Sequence, residues 1–338
     1  MPRTERAIRR PGTQALRKNQ SAGAPKCPSA TECREPRTER TIRRPGAQAP
    51  RKNQSAGAPE CHRELRAERG EEDAIRNLLK ARLRKGETVW GTFVFEYGSP
   101  SVPRIMKAAG WDYILVDTEH SRFGVETVAN LLHVSAAVGL PAVVRVPEIR
   151  RSFLSRPLDA GALGLMVPRV ETRAQAEEII QYTKYPPMGD RGMALGIATT
   201  CYQMVNGQSY IREANAELLV IMQIETQRGM ENLGEILSVP GLDVAFLGPQ
   251  DLATSMGLLG EANHPKMIKA IDAFLRGCRR HGVVSGMWVG SIEEGRSWIK
   301  RGARFMTYGA DFAMVMERSR AVLEALRPRR RSNGRRTR

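Results

Sequence analysis

The 338-residue chain is predicted to be an α/β protein, a (β/α)8 TIM barrel with disordered basic N- and C-terminal tails. Three observations predict it. From residue 73 onward short apolar runs alternate with amphipathic stretches; the runs are apolar throughout rather than at every second position; and there are eight of them in about 250 residues. A strand that is apolar on both faces must be covered on both, as in a parallel sheet wrapped by helices, and eight such units in this length fit a closed barrel. An open doubly wound sheet fits less well, because no GxGxxG follows the first run.

The predicted strands, in order, are VWGTFVF (89–95), DYILVD (112–117), PAVVRV (141–146), ALGLMVP (162–168), LLVIMQIE (218–225), DVAFLG (243–248), VVSGMWV (283–289) and ARFMTYG (303–309). Between them lie helical patterns such as VETVANLLHVSAAVG (125–139) and TRAQAEEIIQYTKY (172–185), several of them stopped by glycine. The stretch 186–212 exceeds an ordinary connection and is expected to be a lid or specificity element.

Charge separates three segments: 1–70, 71–326 and 327–338. The net charge is +17, yet residues 1–70 hold 17 Arg/Lys against 7 Asp/Glu and residues 327–338 hold 7 Arg against no acid, so 71–326 is neutral. Any attraction to polyanions therefore belongs to the tails. The leader repeats itself: residues 2–27 recur at 36–61 with 22 of 26 positions identical. Its prolines and lack of apolar periodicity exclude a helical solenoid and predict disorder. No apolar run reaches signal-peptide or membrane-span length, and the five cysteines form no CxxC, which points to a reducing cytoplasm.

Ionisable residues gather where the apolar runs end. Asp117, Glu119 and His120 follow the second strand, Arg145 ends the third, Glu225 the fifth, and Asp251 follows the sixth. In a barrel these positions share one mouth. Asp117 and Glu119 could each simply cap the next helix, and His120 could be a satisfied loop histidine. Arg145 in a Val-rich strand and Glu225 after a fully apolar one each require a partner of opposite charge. Two carboxylates from adjacent strands suit a hard divalent ion such as Mg²⁺ or Mn²⁺, with water and substrate oxygens completing the shell. A 2-keto acid held there would become acidic at C3, with Arg145 stabilising the enolate and His120 moving the proton.

Residues 75–320 resemble the HpcH/HpaI family of metal-dependent (class II) pyruvate aldolases. The motifs that carry the resemblance are GWDYILVDTEH, VVRVP, LDAGALGLMVPRVET, YPPMGDRG, VIMQIET and FLGPQDLATSMG followed by His264-Pro265, in this order. The resemblance implies a carbon–carbon lyase on a phosphoenolpyruvate/pyruvate-type barrel, making or cleaving 4-hydroxy-2-oxo acids from a 2-keto acid and an aldehyde. It implies a divalent cofactor (Mg²⁺, Mn²⁺ or Co²⁺) on Glu225 and Asp251, substrate binding by Gln223, Gln250 and Asp251, and His120 and Arg145 in catalysis. It also implies that Asp159 raises the basicity of the histidine, with Asp117 as the competing candidate, and that the barrel forms a homo-oligomer, typically a hexamer with exchanged terminal helices. The chain departs from the family's pattern at Thr118, where glycine is usual, and at Glu96, an extra acid at the mouth. Two other readings are a CoA-thioester lyase of the same superfamily and a non-catalytic nucleic-acid binder acting through its basic tails.

Overall fold

A computed structural model describes residues 77–261 and 264–327; the 1–70 leader and all of the C-terminal tail except Arg327 lie outside them. Strands β1 (Val89–Val94), β2 (Tyr113–Asp117), β3 (Ala142–Arg145), β4 (Gly164–Val167), β5 (Leu219–Ile224), β6 (Val244–Leu247), β7 (Val284–Val289) and β8 (Phe305–Ala310) pair in parallel with their neighbours in sequence. β8 closes on β1. Each expected run contains its strand, except that β8 continues one residue further. Every residue of β2 to β6 is buried, which is why these runs carry no alternation of polarity.

The helices form the outer layer. α1 (Leu78–Arg84) precedes the barrel; α2 (Ser101–Ala108), α3 (Val125–Ala137), α4 (Arg151–Asp159) and α5 (Arg173–Thr183) follow β1 to β4. α6 (Gly207–Glu217) precedes β5, and α7 (Gln227–Glu231) and α8 (Leu233–Leu237) follow it. α9 (Pro249–Ser255) and α10 (Pro265–His281) follow β6, α11 (Ile292–Lys300) follows β7, and α12 (Asp311–Leu326) follows β8. Their ends obey local chemistry: Thr172 and Gln175 form a reciprocal capping box at the start of α5, and Gly282, at φ +68°, ends α10 in the left-handed region. Among the described residues no helix is long and apolar enough to cross a membrane.

Two apolar cores result from the period of two along each strand. Tyr113, Leu115, Val143, Met166, Ile221, Val244, Phe246 and Phe305 fill the lumen, and Leu79 and Leu83 of α1 pack beneath them. The alternate residues, such as Ile114, Val116, Val144, Leu165 and Val220, pack outward against the helices. α1 is held by its cap: the Asn77 side-chain amide donates to the Leu163 and Glu217 carbonyls, and Lys80 pairs with Asp243 at 2.8 Å.

Candidate active site

Extending the lumen-facing alternation by one step reaches the site. Beyond Tyr113 and Leu115 the next inward position is Asp117, beyond Val143 it is Arg145, beyond Leu219 and Ile221 come Gln223 and Glu225, and beyond Phe246 comes Gly248. The lower layers of the lumen are apolar and the layer at the strands' C-terminal ends is polar.

Strand register makes the first contact. Asp117 lies opposite Arg145 in the β2–β3 ladder, and Arg145 Nε donates to Asp117 Oδ1 at 2.5 Å. A second nitrogen of Arg145 lies 3.2 Å from Glu119 Oε2, and the guanidinium sits over the Phe93 ring at 4.7 Å. Arg145 is thus a buried cation held by two carboxylates and an aromatic face. Asp117 also shapes the turn after β2, accepting from the His120 backbone N–H at 2.7 Å, while the Thr118 hydroxyl donates to the Arg145 carbonyl at 2.6 Å. The turn leaves the His120 imidazole mostly exposed, with Nε2 3.7 Å from Glu119 Oε2. Burial pushes the Glu119 carboxyl up, while Arg145 and His120 act in the opposite direction.

Glu225 is buried and held at both of its oxygens. Its Oε1 accepts from the Arg169 N–H at 2.9 Å, and its Oε2 contacts the Gln223 amide. Arg169 adopts a left-handed conformation, φ +52°, at the end of β4, a costly geometry for a residue with a Cβ. A methyl group at Gly248 would stand 2.5 Å from Glu225 Oε2 and 2.9 Å from Gln223 Nε2, so only glycine lets the backbone pass here. Burial, then repulsion from Asp251 and Glu119, raises the Glu225 carboxyl to about 7. Asp251, in the first turn of α9, therefore lies within electrostatic reach of it.

The fit to a divalent ion is that of a sparse site. Among the described residues no three His, Cys, Asp or Glu side chains surround a common point. Two crowded carboxylates with the rest of the shell from water and substrate oxygens is the pattern expected of Mg²⁺-type ions. Gln223, whose amide nitrogen contacts Glu225, keeps a buried Oε1 without a hydrogen-bond partner.

A cavity of about 460 Å³ opens beside these residues, lined by His120, Arg145, Gln223, Gln250 and Asp251 and by the rings of Phe93, Phe95, Phe246, Trp288 and Phe312. Sequence reasoning missed three contributors: Arg169, Gly248 and Asp311. Asp311 is buried, and its carboxylate accepts from the N–H groups of Phe95 (3.2 Å), Glu96 (3.0 Å), Tyr97 (2.9 Å) and Phe312 (2.8 Å), tying the β1 loop to the start of α12. Its signal was an acid two positions after the eighth apolar run. Asp311→Ala is expected to lower stability by about 2–3 kcal/mol, because several buried donors lose one charged acceptor. Urea unfolding checks it, and a change under 0.5 kcal/mol, the ordinary surface value, contradicts it.

Two expectations meet a different geometry. Asp159 ends α4, at the opposite end of the barrel from His120, and pairs there with Arg191 at 2.8 Å. A helix after a parallel strand runs back toward the strands' N-terminal ends, so its last residue in one chain cannot join the mouth. None of residues 186–212, expected to form a lid or specificity element, lines the cavity at the mouth. The stretch leaves α5 at that far end and is pinned to the flank by Arg151–Asp190 at 2.6 Å, Arg191–Asp159, and the Tyr202 hydroxyl against His133 at 3.1 Å, and it ends in α6. Glu96 stands at the rim, exposed, 3.9 Å from Arg122.

Comparison with known proteins agrees with this architecture. The hydroxypyruvate/pyruvate aldolase of Paraburkholderia phytofirmans is 32% identical over 257 residues, covering 74% of this chain and 98% of its own length. The 5-keto-4-deoxy-D-glucarate aldolase of Shigella sonnei is 30% identical, covering 75% and 98%. The crystal structure of an HpcH/HpaI aldolase/citrate lyase family protein from Burkholderia cenocepacia superposes with a TM-score of 0.70 at 35% identity, covering 75% of this chain and all of that one. Because residues 93–317 also match the HpcH/HpaI aldolase/citrate lyase description, the chain belongs to the HpcH/HpaI aldolase family of carbon–carbon lyases.

Proposed function

We propose that the chain makes and cleaves 4-hydroxy-2-oxo acids from pyruvate or a similar 2-keto acid and an aldehyde, using a divalent ion on Glu225 and Asp251. The observation that carries this is a cavity lined by His120, Arg145, Gln223 and Asp251, with the Glu225 carboxylate in contact with Gln223 and close enough to Asp251 for the two to repel. Mg²⁺, Mn²⁺ or Co²⁺ held by Glu225 and Asp251 would supply the Lewis acidity that loosens the C3 protons of the keto acid. His120, exposed at the mouth, takes the C3 proton. Arg145, fixed by Asp117 and Glu119, faces the developing enolate oxygen. Gln223 and the backbone at Gln250 and Asp251 hold the keto acid's carboxylate. The names of the relatives, pyruvate and hydroxypyruvate among them, support a 2-keto acid as the nucleophilic half.

In this chain Glu119 is the carboxylate beside the imidazole and Asp117 holds the backbone of the same turn. Asp159 enters such a site only from a second copy. The neutral charge of 71–326 gives a CoA groove no support. Cytoplasmic residence accords with the cysteine pattern, and polyanion binding by the tails is expected to be weakened by salt without altering turnover.

Exchange of the pyruvate methyl protons with solvent, followed by NMR, tests the reading. Exchange should be seen with Mn²⁺, be lost on adding a chelator and return with fresh metal; exchange indifferent to chelator contradicts it.

A homo-oligomer, hexameric as the family resemblance implies, is proposed on the state of α12. Beyond Met314 every residue of this helix is exposed, including Val315, Met316, Val322, Leu323 and Leu326. A helix with that much apolar surface needs a partner. Sedimentation should give a species of several chains, and removing residues 315–327 should dissociate it; an unchanged sedimentation coefficient per chain contradicts this role.

A further inference from the structure

The cavity at the mouth is divided by chemistry. Its β2, β3, β5 and β6 side carries the hydrogen-bonding and charged groups, whereas the β1, β7 and β8 side is built by Phe93, Phe95, Trp288 and Phe312 with Gly309, Ala310 and Ala313 between them. The rings pack on one another: Phe93 stacks on Phe95 at 4.9 Å, and Phe95 meets Phe312 edge-on at 6.2 Å. The indole N–H of Trp288 is already used, donating to the Gly309 carbonyl at 3.2 Å. Among the described residues no lining side chain on this side has a hydrogen-bonding group left for a ligand. Arg145 is, among the described residues, the one Lys or Arg in the lining; its guanidinium lies over the Phe93 and Phe95 rings at 4.7 and 5.8 Å, and it is committed to Asp117 and Glu119. Arg122 at the rim lies outside the lining, exposed and facing Glu96.

We infer that this aromatic side is the acceptor subsite, and that it selects an uncharged aldehyde carrying an alkyl or aryl group over one carrying a carboxylate. The assignment rests on the enolising centre proposed above. In the forward reaction C3 of the keto acid bonds to the aldehyde carbon, the carbonyl π pair moves to oxygen, and the proton taken from C3 is matched by one delivered to that oxygen. The remainder of the aldehyde must then lie beyond the new bond, away from the groups that hold the keto acid. There it meets rings, which reward apolar contact, and no free cation to pair with an anion.

The test compares two aldehydes of nearly the same shape, 4-methylpentanal and 4-oxobutanoate, as acceptors for pyruvate with the full chain and Mn²⁺. The neutral aldehyde should have a kcat/KM at least about tenfold higher, a modest share of the cost of desolvating an unpaired carboxylate. Phe312→Arg, which adds a cation at the edge of the aromatic side, should narrow that gap several-fold. Equal or reversed preference in the wild-type chain overturns the assignment. Pyruvate proton exchange is measured alongside: exchange with a reversed preference refutes the acceptor subsite alone, whereas no exchange refutes the enolising centre and the subsite with it.

Discussion

Glu225→Gln is expected to abolish tight Mn²⁺ binding and to reduce aldol turnover by about two to three orders of magnitude, the size of several kcal/mol of lost charge stabilisation. The replacement has the same shape and keeps an oxygen for the Arg169 N–H, which Glu225 Oε1 accepts at 2.9 Å, so the fold should persist. What it removes is one of two negative charges meeting Asp251. Titration calorimetry with Mn²⁺ decides, and unchanged affinity contradicts the ligand assignment. A pH signature accompanies it. The Glu225 carboxyl is raised from 4.5 to about 7 by burial first and by Asp251 and Glu119 next. Without metal, the unfolded chain therefore releases this proton near 4.5 while the folded chain holds it to about 7, and stability falls as pH rises through that window. The Gln variant should lack this decline, which thermal melts in chelator at a series of pH values would show.

Arg145→Met should be as damaging for a different reason. Asp117 is fully buried and Arg145 nearly so, and their contact is 2.5 Å. Deleting the cation leaves one buried carboxylate unpaired and Glu119 with a lost partner, which costs about 3–5 kcal/mol. Pairing it with Asp117→Asn should restore most of the melting temperature without restoring activity, because the charge imbalance is removed while the guanidinium that faces the enolate is still missing. Recovery of turnover in the double variant contradicts the role given to Arg145. Arg145→Lys should recover little, since a single ammonium cannot span Asp117 and Glu119 while lying flat over Phe93.

The barrel was legible in the sequence because its signal is local and repeated. In runs such as YILVD and LLVIMQIE the apolar residues are consecutive rather than alternating, a demand imposed only by burial on both faces, and eight of them left little choice of architecture. The charged residues ending those runs were legible too, since Asp117, Arg145 and Glu225 interrupt patterns that are otherwise apolar. Gly248 was not, because its importance lies in how near it passes to Glu225, a residue on another strand. Arg169 acts through a backbone N–H, which its side chain does not announce, from a left-handed φ that nothing in an arginine signals. Asp311 looked like any acid at the start of a helix until the closing of β8 on β1 brought Phe95, Glu96 and Tyr97 to it. Asp159 shows the converse: its motif stands out in the chain, yet the direction in which α4 runs carries it to the far end of the barrel. Patterns of burial are written along the chain, so the eight strands, the wrapping helices and the polar mouth followed from sequence alone. Which groups touch across that mouth depends on strand register and helix direction, and only the closed barrel decided those.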